Sequence, residues 1–219
     1  MQIWIHDKDM RKVCALNNNV PGMLPYSNNQ WHPYLEYSTS TFDFTIPKIV
    51  NGKLHEDIKY IKDDMFVSFY YDNSYHVFYV SQLVENDISF QVTCNNTNLE
   101  LAQEQSVGLK SDNAQSVAWY LQHLDILGFT NLEIGVNEIS DKTRKLEFEP
   151  QETKLAQLHS LMSKFDAEFS FRTELNRDGT VKHFIIDIFQ QPDDNHHGIG
   201  KTRGDVVLHY QNELKGVQV

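Results

Sequence analysis

The chain has 219 residues, 40% apolar and 22% charged, and a net charge of −11. That length holds one large or two small domains, and the composition is ordinary for a protein that buries a core. The acidic balance argues against a general nucleic-acid binder, which presents a basic face; it suits a soluble acidic protein, or a surface that must not adhere to passing DNA.

The first hundred residues read as β-structure. Ile3 and Ile5 alternate with polar neighbours, as a half-buried strand requires. Val13 and Ala15 follow, then a turn at Pro21-Gly22. The polar, aromatic stretch Tyr26 to Tyr37 reads as a loop. Phe42, Phe44 and Ile46 alternate with Thr41, Asp43 and Thr45, and Pro47 ends the run. Two aromatic, β-branched runs, Met65–Tyr71 and Tyr75–Val80, flank the turn sequence Asp72-Asn-Ser74 and predict a hairpin. Ile88–Cys94 closes the series. Short strands at this spacing predict an antiparallel barrel or sandwich.

The second half changes period. Ser111 is a candidate helix cap, with Ala114, Val117, Ala118, Leu121 and Leu124 on one face and Gly128 as the stop. Leu132–Ile134 reads as a strand. Thr153 is the candidate cap of a second helix with the apolar face Leu155, Leu158, Leu161, Met162 and Phe165. Ala167, Phe169 and Phe171 alternate next. Asn176-Arg-Asp-Gly179 is a turn, and Phe184, Ile186 and Ile188 alternate after it, which makes a second hairpin. Gln190–Gly204 reads as a linker and Val206–Tyr210 as a further short strand. The expected fold class is therefore α+β: a barrel-like module over 1–103, a small α/β module over 104–195 with two helices, a strand and a β-hairpin, and 196–219 as a linker opening a further β module.

The sequence offers few groups for chemistry. Cys14 and Cys94 share no motif and read as buried free thiols, neither disulfide nor zinc ligands. Asp193-Asp-Asn-His-His197 has metal-ligand residue types, but adjacent histidines diverge in an extended chain, and a solvated loop is expected. Gly198-Ile-Gly-Lys-Thr202 lacks the first glycine of a phosphate loop, with Asn195 in its place, and is rejected. Glu147 with Glu149 and Asp63 with Asp64 are carboxylate pairs in sequence only, which says nothing of their separation in space. No nucleophile elbow and no His-Glu-x-x-His motif is present. No catalytic, cofactor or metal site is assigned. No apolar run is long enough to span a membrane. The opening residues, interrupted by Asp7, Lys8 and Asp9, do not read as a signal peptide, and synthesis in the cytoplasm is expected. The Asn95-Asn-Thr97 sequon is then a polar turn.

Several stretches taken in order resemble the N-terminal region of phage minor structural proteins. These are the tail-associated lysin or prophage tail endopeptidase type, related to baseplate hubs. The stretches are Ile3-Trp-Ile-His-Asp7, Ser40-Thr-Phe-Asp-Phe-Thr-Ile46, the hairpin with Val77-Phe-Tyr-Val80, and the segment Ile88 to Leu101. They continue with Leu127-Gly-Phe129, Leu132-Glu-Ile134, Phe165-Asp-Ala-Glu-Phe169, and Arg203 to Val217, which resembles the opening of the family's next domain. The resemblance implies a baseplate-hub-like fold and a structural place at the virion tail tip. It also implies a homotrimer extending the tail tube beside distal tail and tape measure proteins, in reach of host cell-wall material. Wall-cutting domains of this family lie further toward the C-terminus, so no enzyme is expected within these residues. Two other readings remain: a cell-wall endopeptidase, as the family's label suggests, and a carbohydrate-binding adhesion module using Trp31, Tyr34 and Tyr37.

Overall fold

The computed structural model describes residues 1–34, 39–129, 132–150 and 153–200. Ten strands form one sheet. Seven of them come from the first half: β1 (Ile3–His6), β2 (Lys12–Leu16), β3 (Ser27–Tyr34), β4 (Thr39–Pro47), β5 (Phe66–Tyr71), β6 (Ser74–Glu85) and β7 (Ser89–Asn96). Their order is β2-β1-β5-β6-β7-β4-β3, antiparallel throughout. The twelve-residue β6 makes this possible. Its first part pairs with β5, its second with β7, and a register shift between Val80 and Gln82 bends it. A parallel bridge between Leu16 and Leu24 brings the far end of the sheet back toward β2. The result is the barrel-like module that the alternation predicts.

Period-two alternation sends every second side chain inward. Ile3 and Ile5, Phe42, Phe44 and Ile46, Val67 and Phe69, Phe78 and Val80, and Phe90, Val92 and Cys94 form one buried cluster. Each such side chain contributes about 1.5–3 kcal/mol by leaving water. The β5–β6 turn has two residues, Asp72 and Asn73, at φ 47° and 61°. Asp and Asn tolerate this left-handed backbone, which suits the twist of a tight hairpin. Ser74, read as part of the turn, instead opens β6 opposite Tyr71.

The loop expected at Tyr26–Tyr37 is a strand over Ser27–Tyr34, and residues 35–38 lie outside the described part. Among the described residues β3 is an edge strand, held by backbone pairing to β4 with Trp31 opposite Phe42. Only Trp31 is even half-buried, so no alternation marks it. Pro33 is tolerated because its missing N–H costs least at an edge.

The second half adds α1 (Val117–His123), α2 (Ile126–Phe129), β8 (Leu132–Asn137), α3 (Lys154–Lys164), β9 (Ala167–Leu175) and β10 (Val181–Gln190). β9 and β10 are the expected hairpin, and β8 lies parallel to β10 with Ile134 opposite Ile186. Leu121, Leu158, Leu161, Phe165, Phe169, Ile186 and Ile188 lie in a second buried cluster. Leu99 and Ala102 pack against it from the end of the first half. The three strands join the barrel where Thr173 of β9 meets Tyr75 of β6. The observed class is α+β, mostly antiparallel sheet with few helices.

Two helix signals fall elsewhere than expected. Ser116, not Ser111, caps α1, its Oγ accepting from the Trp119 N–H at 3.3 Å. Residues 115–116 are held extended by pairing with 143–144, so the helix cannot start earlier. Gly128 does not stop it either. α1 ends before Asp125, whose φ is 54°, and Gly128 lies inside α2. The second cap is as predicted: Thr153 Oγ1 accepts from the Ala156 N–H at 3.2 Å. The strand expected at Val206–Tyr210 lies outside the described residues.

Candidate functional site

Among the described residues, three large concavities lie around the second half of the chain. The first, about 490 Å³, lies where the second half meets the barrel, between Met10, Phe66 and Val77 on one side and Glu133, Thr173 and His183 on the other. His183 Nδ1 lies 3.0 Å from Glu133 Oε1 and 3.1 Å from Oε2. Glu100, at the rim, has its carboxyl pushed up by burial. The only hydroxyls lining it belong to Thr97 and Thr173. Neither is within hydrogen-bonding reach of the imidazole, so no nucleophile–base–acid relay is formed.

The second and third meet at α3. A groove of about 610 Å³ runs between Tyr34 and Thr39 of the barrel, Leu99 and Ala102, and Leu155 and Ala156 of α3. Its lining is almost wholly apolar. His159 stands at its end and also lines the neighbouring hollow of about 440 Å³, with Met162, Phe169 and Ile199. The His159 ring meets Phe169 edge to face, centroids 4.8 Å apart. The groove is suited to holding apolar groups, while the hollow beside it mixes Met162, Phe169 and Ile199 with Ser163, Glu168 and His197.

The residues singled out in sequence are scattered. Cys14 and Cys94 are buried free thiols in the barrel. Burial and the nearby Asp57 push the Cys14 thiol up to about 12, and burial pushes Cys94 up as well. Both are thiols at neutral pH and poor nucleophiles. Asp63 and Asp64 are exposed in a loop. Glu147 pairs with Lys110 at 2.9 Å on the surface while Phe148 between it and Glu149 is buried. Among the described residues no group of three or more His, Cys, Asp or Glu is placed to hold a metal.

The Asp193–His197 stretch is a folded turn. Asp193 Oδ1 accepts from the N–H groups of Asn195 at 2.7 Å and His196 at 2.8 Å, and it lies 2.8 Å from His196 Nδ1. Ile199 N–H donates to Glu168 Oε2 at 2.9 Å, so the stretch after Gly198 is tied to β9 rather than shaped into a phosphate cradle. Lys201 and Thr202 lie outside the described residues.

Trp31 and Tyr34, the described members of the aromatic trio, have different surroundings. Trp31 is half-buried against the barrel core, edge-on to Phe69 at 5.5 Å and Tyr71 at 5.6 Å. Tyr34 lines the apolar groove, and Tyr37 lies outside the described residues. The groove itself was not legible in the sequence, because it is assembled from β3, the segment after β7 and α3.

No protein-family model matches the sequence, and no curated protein sequence matches it. Solved structures do share the fold. The prophage tail protein gp18 of Listeria monocytogenes aligns over 85% of this chain at a TM-score of 0.52 and 11% identity. The 43 kDa tail protein of prophage MuSo2 from Shewanella oneidensis aligns over 85% at 0.50 and 11%. The Francisella PdpA–VgrG complex contains a chain that aligns over 88% at 0.52 and 12%. The chain spans 50%, 55% and 31% of the lengths of these three.

Proposed function

We propose that the chain is a structural component of a phage or prophage tail tip, a baseplate-hub-like protein that continues the tail tube and catalyses nothing within these residues. One observation carries this reading: the ordered motifs of the sequence and the shared fold point to the same class of tail protein over most of the chain. The surface agrees with it. The apolar groove offers docking, and among the described residues β3 presents an open strand edge of the kind that assembly covers. In this reading three copies surround the tail axis beside distal tail and tape measure proteins, near host cell-wall material. Residues 1–103 and 104–195 act as separable modules, with 196–219 leading into a further β module. Nothing in the acidic chain calls for nucleic-acid recognition.

The test is a map of the intact tail tip at side-chain resolution. Three copies around the axis are expected; one copy, or a peripheral fibre, overturns the hub reading. Purified chain incubated with Gram-positive cell walls should release no new amino or reducing ends above a heat-inactivated control, and release would restore the endopeptidase reading. Limited proteolysis should cut first within 95–108 or 192–204. First cuts within 65–80 would refute the division into modules.

A further inference from the structure

The tip of the β9–β10 hairpin, residues 176–180, rests on the turn between β1 and β2. The Lys12 N–H donates to the Asp178 carbonyl at 2.9 Å. Beneath this contact lies His6, fully buried. Its Nδ1 is 2.9 Å from the Met10 carbonyl oxygen and its Nε2 is 2.7 Å from Ser68 Oγ. A carbonyl only accepts, so Nδ1 carries the proton, and Nε2 accepts from the Ser68 hydroxyl. The neutral ring thus has both nitrogens satisfied, with no water needed to complete either bond. Gly179, at φ 97°, closes over it. A Cβ there would stand 2.9 Å from His6 Nδ1 and 2.6 Å from Lys12 Cγ, so only glycine lets the hairpin backbone come this close.

We propose that His6 is an acid-sensitive latch between the two halves: neutral, it seats the β9–β10 tip on the β1–β2 turn, and protonated, it releases that contact. A proton from solvent can enter only at Nε2. Ser68 must then turn from donor to acceptor, and the new charge sits buried beneath Gly179. The charged groups around the ring do not stabilise it. On the β1–β2 turn, Asp7 favours the charge and Lys12 opposes it, with the Lys12 ammonium 4.7 Å from the Trp4 ring centroid and 5.7 Å from that of Tyr75. On the hairpin, the Asp178 carboxylate is committed to Thr180, accepting from N at 3.1 Å and from Oγ1 at 2.7 Å, with Arg11 as its cationic neighbour. β5 offers only the neutral Ser68. Glu100, Glu133, Lys182 and His183 line the cleft that begins at Met10, at the side of the junction.

Burial, the largest influence, pushes the His6 ring below its ordinary 6.5, and the Met10 carbonyl opposes this. The released state takes up a proton near 6.5 while the latched state resists it. The contact is thus at full strength above that pH and weakens as pH falls toward the lowered value. Each unit of lowering makes up to about tenfold of release available.

The experiment is amide hydrogen exchange by NMR on the full chain at about pH 7.5 and about pH 5, corrected for intrinsic exchange. Protection of the Lys12 amide should fall about tenfold on acidification, while β5–β6 ladder amides hold theirs. His6→Gln should remove that dependence, and His76→Gln, at the other buried-side histidine lowered by burial, should leave it. Unchanged Lys12 protection in the unmodified chain, or a dependence that survives His6→Gln, overturns the proposal. Should His6→Gln fail to fold, the ring titration of the unmodified chain decides. It must move together with the Lys12 amide and below 6.5; a ring that titrates at 6.5, or independently of that amide, overturns the latch.

Discussion

The barrel and the α/β half use buried polar groups in different ways. Inside the barrel, the core strands are mostly apolar; they enclose His6 and Ser68, bonded to each other, with Thr39 and Ser40 buried at the start of β4, and of these His6 also reaches the Met10 carbonyl of the β1–β2 turn. In the second half, buried polar side chains serve the backbone of connecting segments. Tyr120 Oη donates to the Arg144 carbonyl at 2.9 Å and accepts from the Leu146 N–H at 2.9 Å, with Ser111 at 2.6 Å. Gln157 Nε2 donates to the Val107 carbonyl at 2.9 Å, and Lys154 Nζ to that of Asp125 at 3.0 Å. The Asp187 carboxylate accepts the Val136 N–H at 2.8 Å where β8 slips register. An antiparallel sheet satisfies its own backbone, so alternation alone sets its register. Irregular segments packed against helices cannot do so, and side chains must complete their hydrogen bonds.

The largest expected effect tests the barrel side of this contrast. Phe42 is fully buried, with ring centroids 4.9 Å from Phe69, 5.0 Å from Phe44 and 5.6 Å from Phe78. Phe42→Ala should cost about 3–5 kcal/mol, the transfer loss plus a cavity. Urea denaturation measures it, and a cost under about 1 kcal/mol would mean the barrel does not rest on this packing. Next comes Asp187, which also holds Arg172 Nε at 2.6 Å. Asp187→Ala should cost about 2–3 kcal/mol, since it strands a part-buried N–H and removes the buried carboxylate that the half-exposed Arg172 guanidinium pairs with. Asp187→Asn, which can still accept from Val136, should cost less. If the two variants cost the same, the ion pair rather than the backbone bond is what matters, and the contrast fails at this site.

The same contrast decides what the sequence discloses. Phe42, Phe44 and Ile46, or Val67 and Phe69, announce their strand because one face is buried and the other is not. Ser27–Tyr34 forms a strand too, bulged between Ser27 and Gln30 with Asn28 at φ 51°, yet it is wet on nearly every side chain, so its identity lies in β4 and not in itself. Ser111 looks like a cap because caps and buried hydroxyls use the same residue; only the pairing of 115–116 with 143–144 tells them apart. Asp125 does at φ 54° what a glycine was expected to do, and Lys154 from α3 holds its carboxylate at 2.9 Å, a contact between residues far apart in the chain. The parallel placement of β8 on β10, the junction of β9 with β6, and the apolar groove are likewise products of long-range assembly. Where the sequence assigned no catalytic site, it read absent motifs; the clefts that do exist are visible only once distant elements meet.

Tyr120 isolates the second half's device, because Tyr120→Phe keeps the ring, the largest fully buried side chain of the described residues, and deletes only the hydroxyl. The Leu146 N–H keeps Ser111 Oγ at 3.2 Å as an acceptor, while the Arg144 carbonyl loses its donor. The expected cost is about 1–2 kcal/mol in urea denaturation. A neutral result would show that the 143–148 segment is fixed by its short strand pairings instead.

The smallest effect comes from a carboxylate that does the same job without burial. Asp193 ties down Asn195 and His196, and its Oδ2 accepts from Gln190 Nε2 at 2.8 Å. The Asn195 N–H first, then the His196 side chain, hold its pKa down to about 2, against an ordinary 3.8. A carboxylate depressed on folding lends its support above the ordinary value and loses it as pH falls through the lowered one. The amide shifts of Asn195 and His196 should therefore titrate together with a midpoint near 2. Asp193 is exposed, so water can replace the bonds it makes, and Asp193→Asn should leave the melting temperature of the chain unchanged while altering those two amides. A midpoint at the ordinary value would remove the turn's hydrogen bonds from the account. A melting temperature lowered as far as by Tyr120→Phe would show that backbone service stabilises this protein whether or not it is buried, and the distinction between its two halves would then rest on where irregular segments occur and not on what surrounds them.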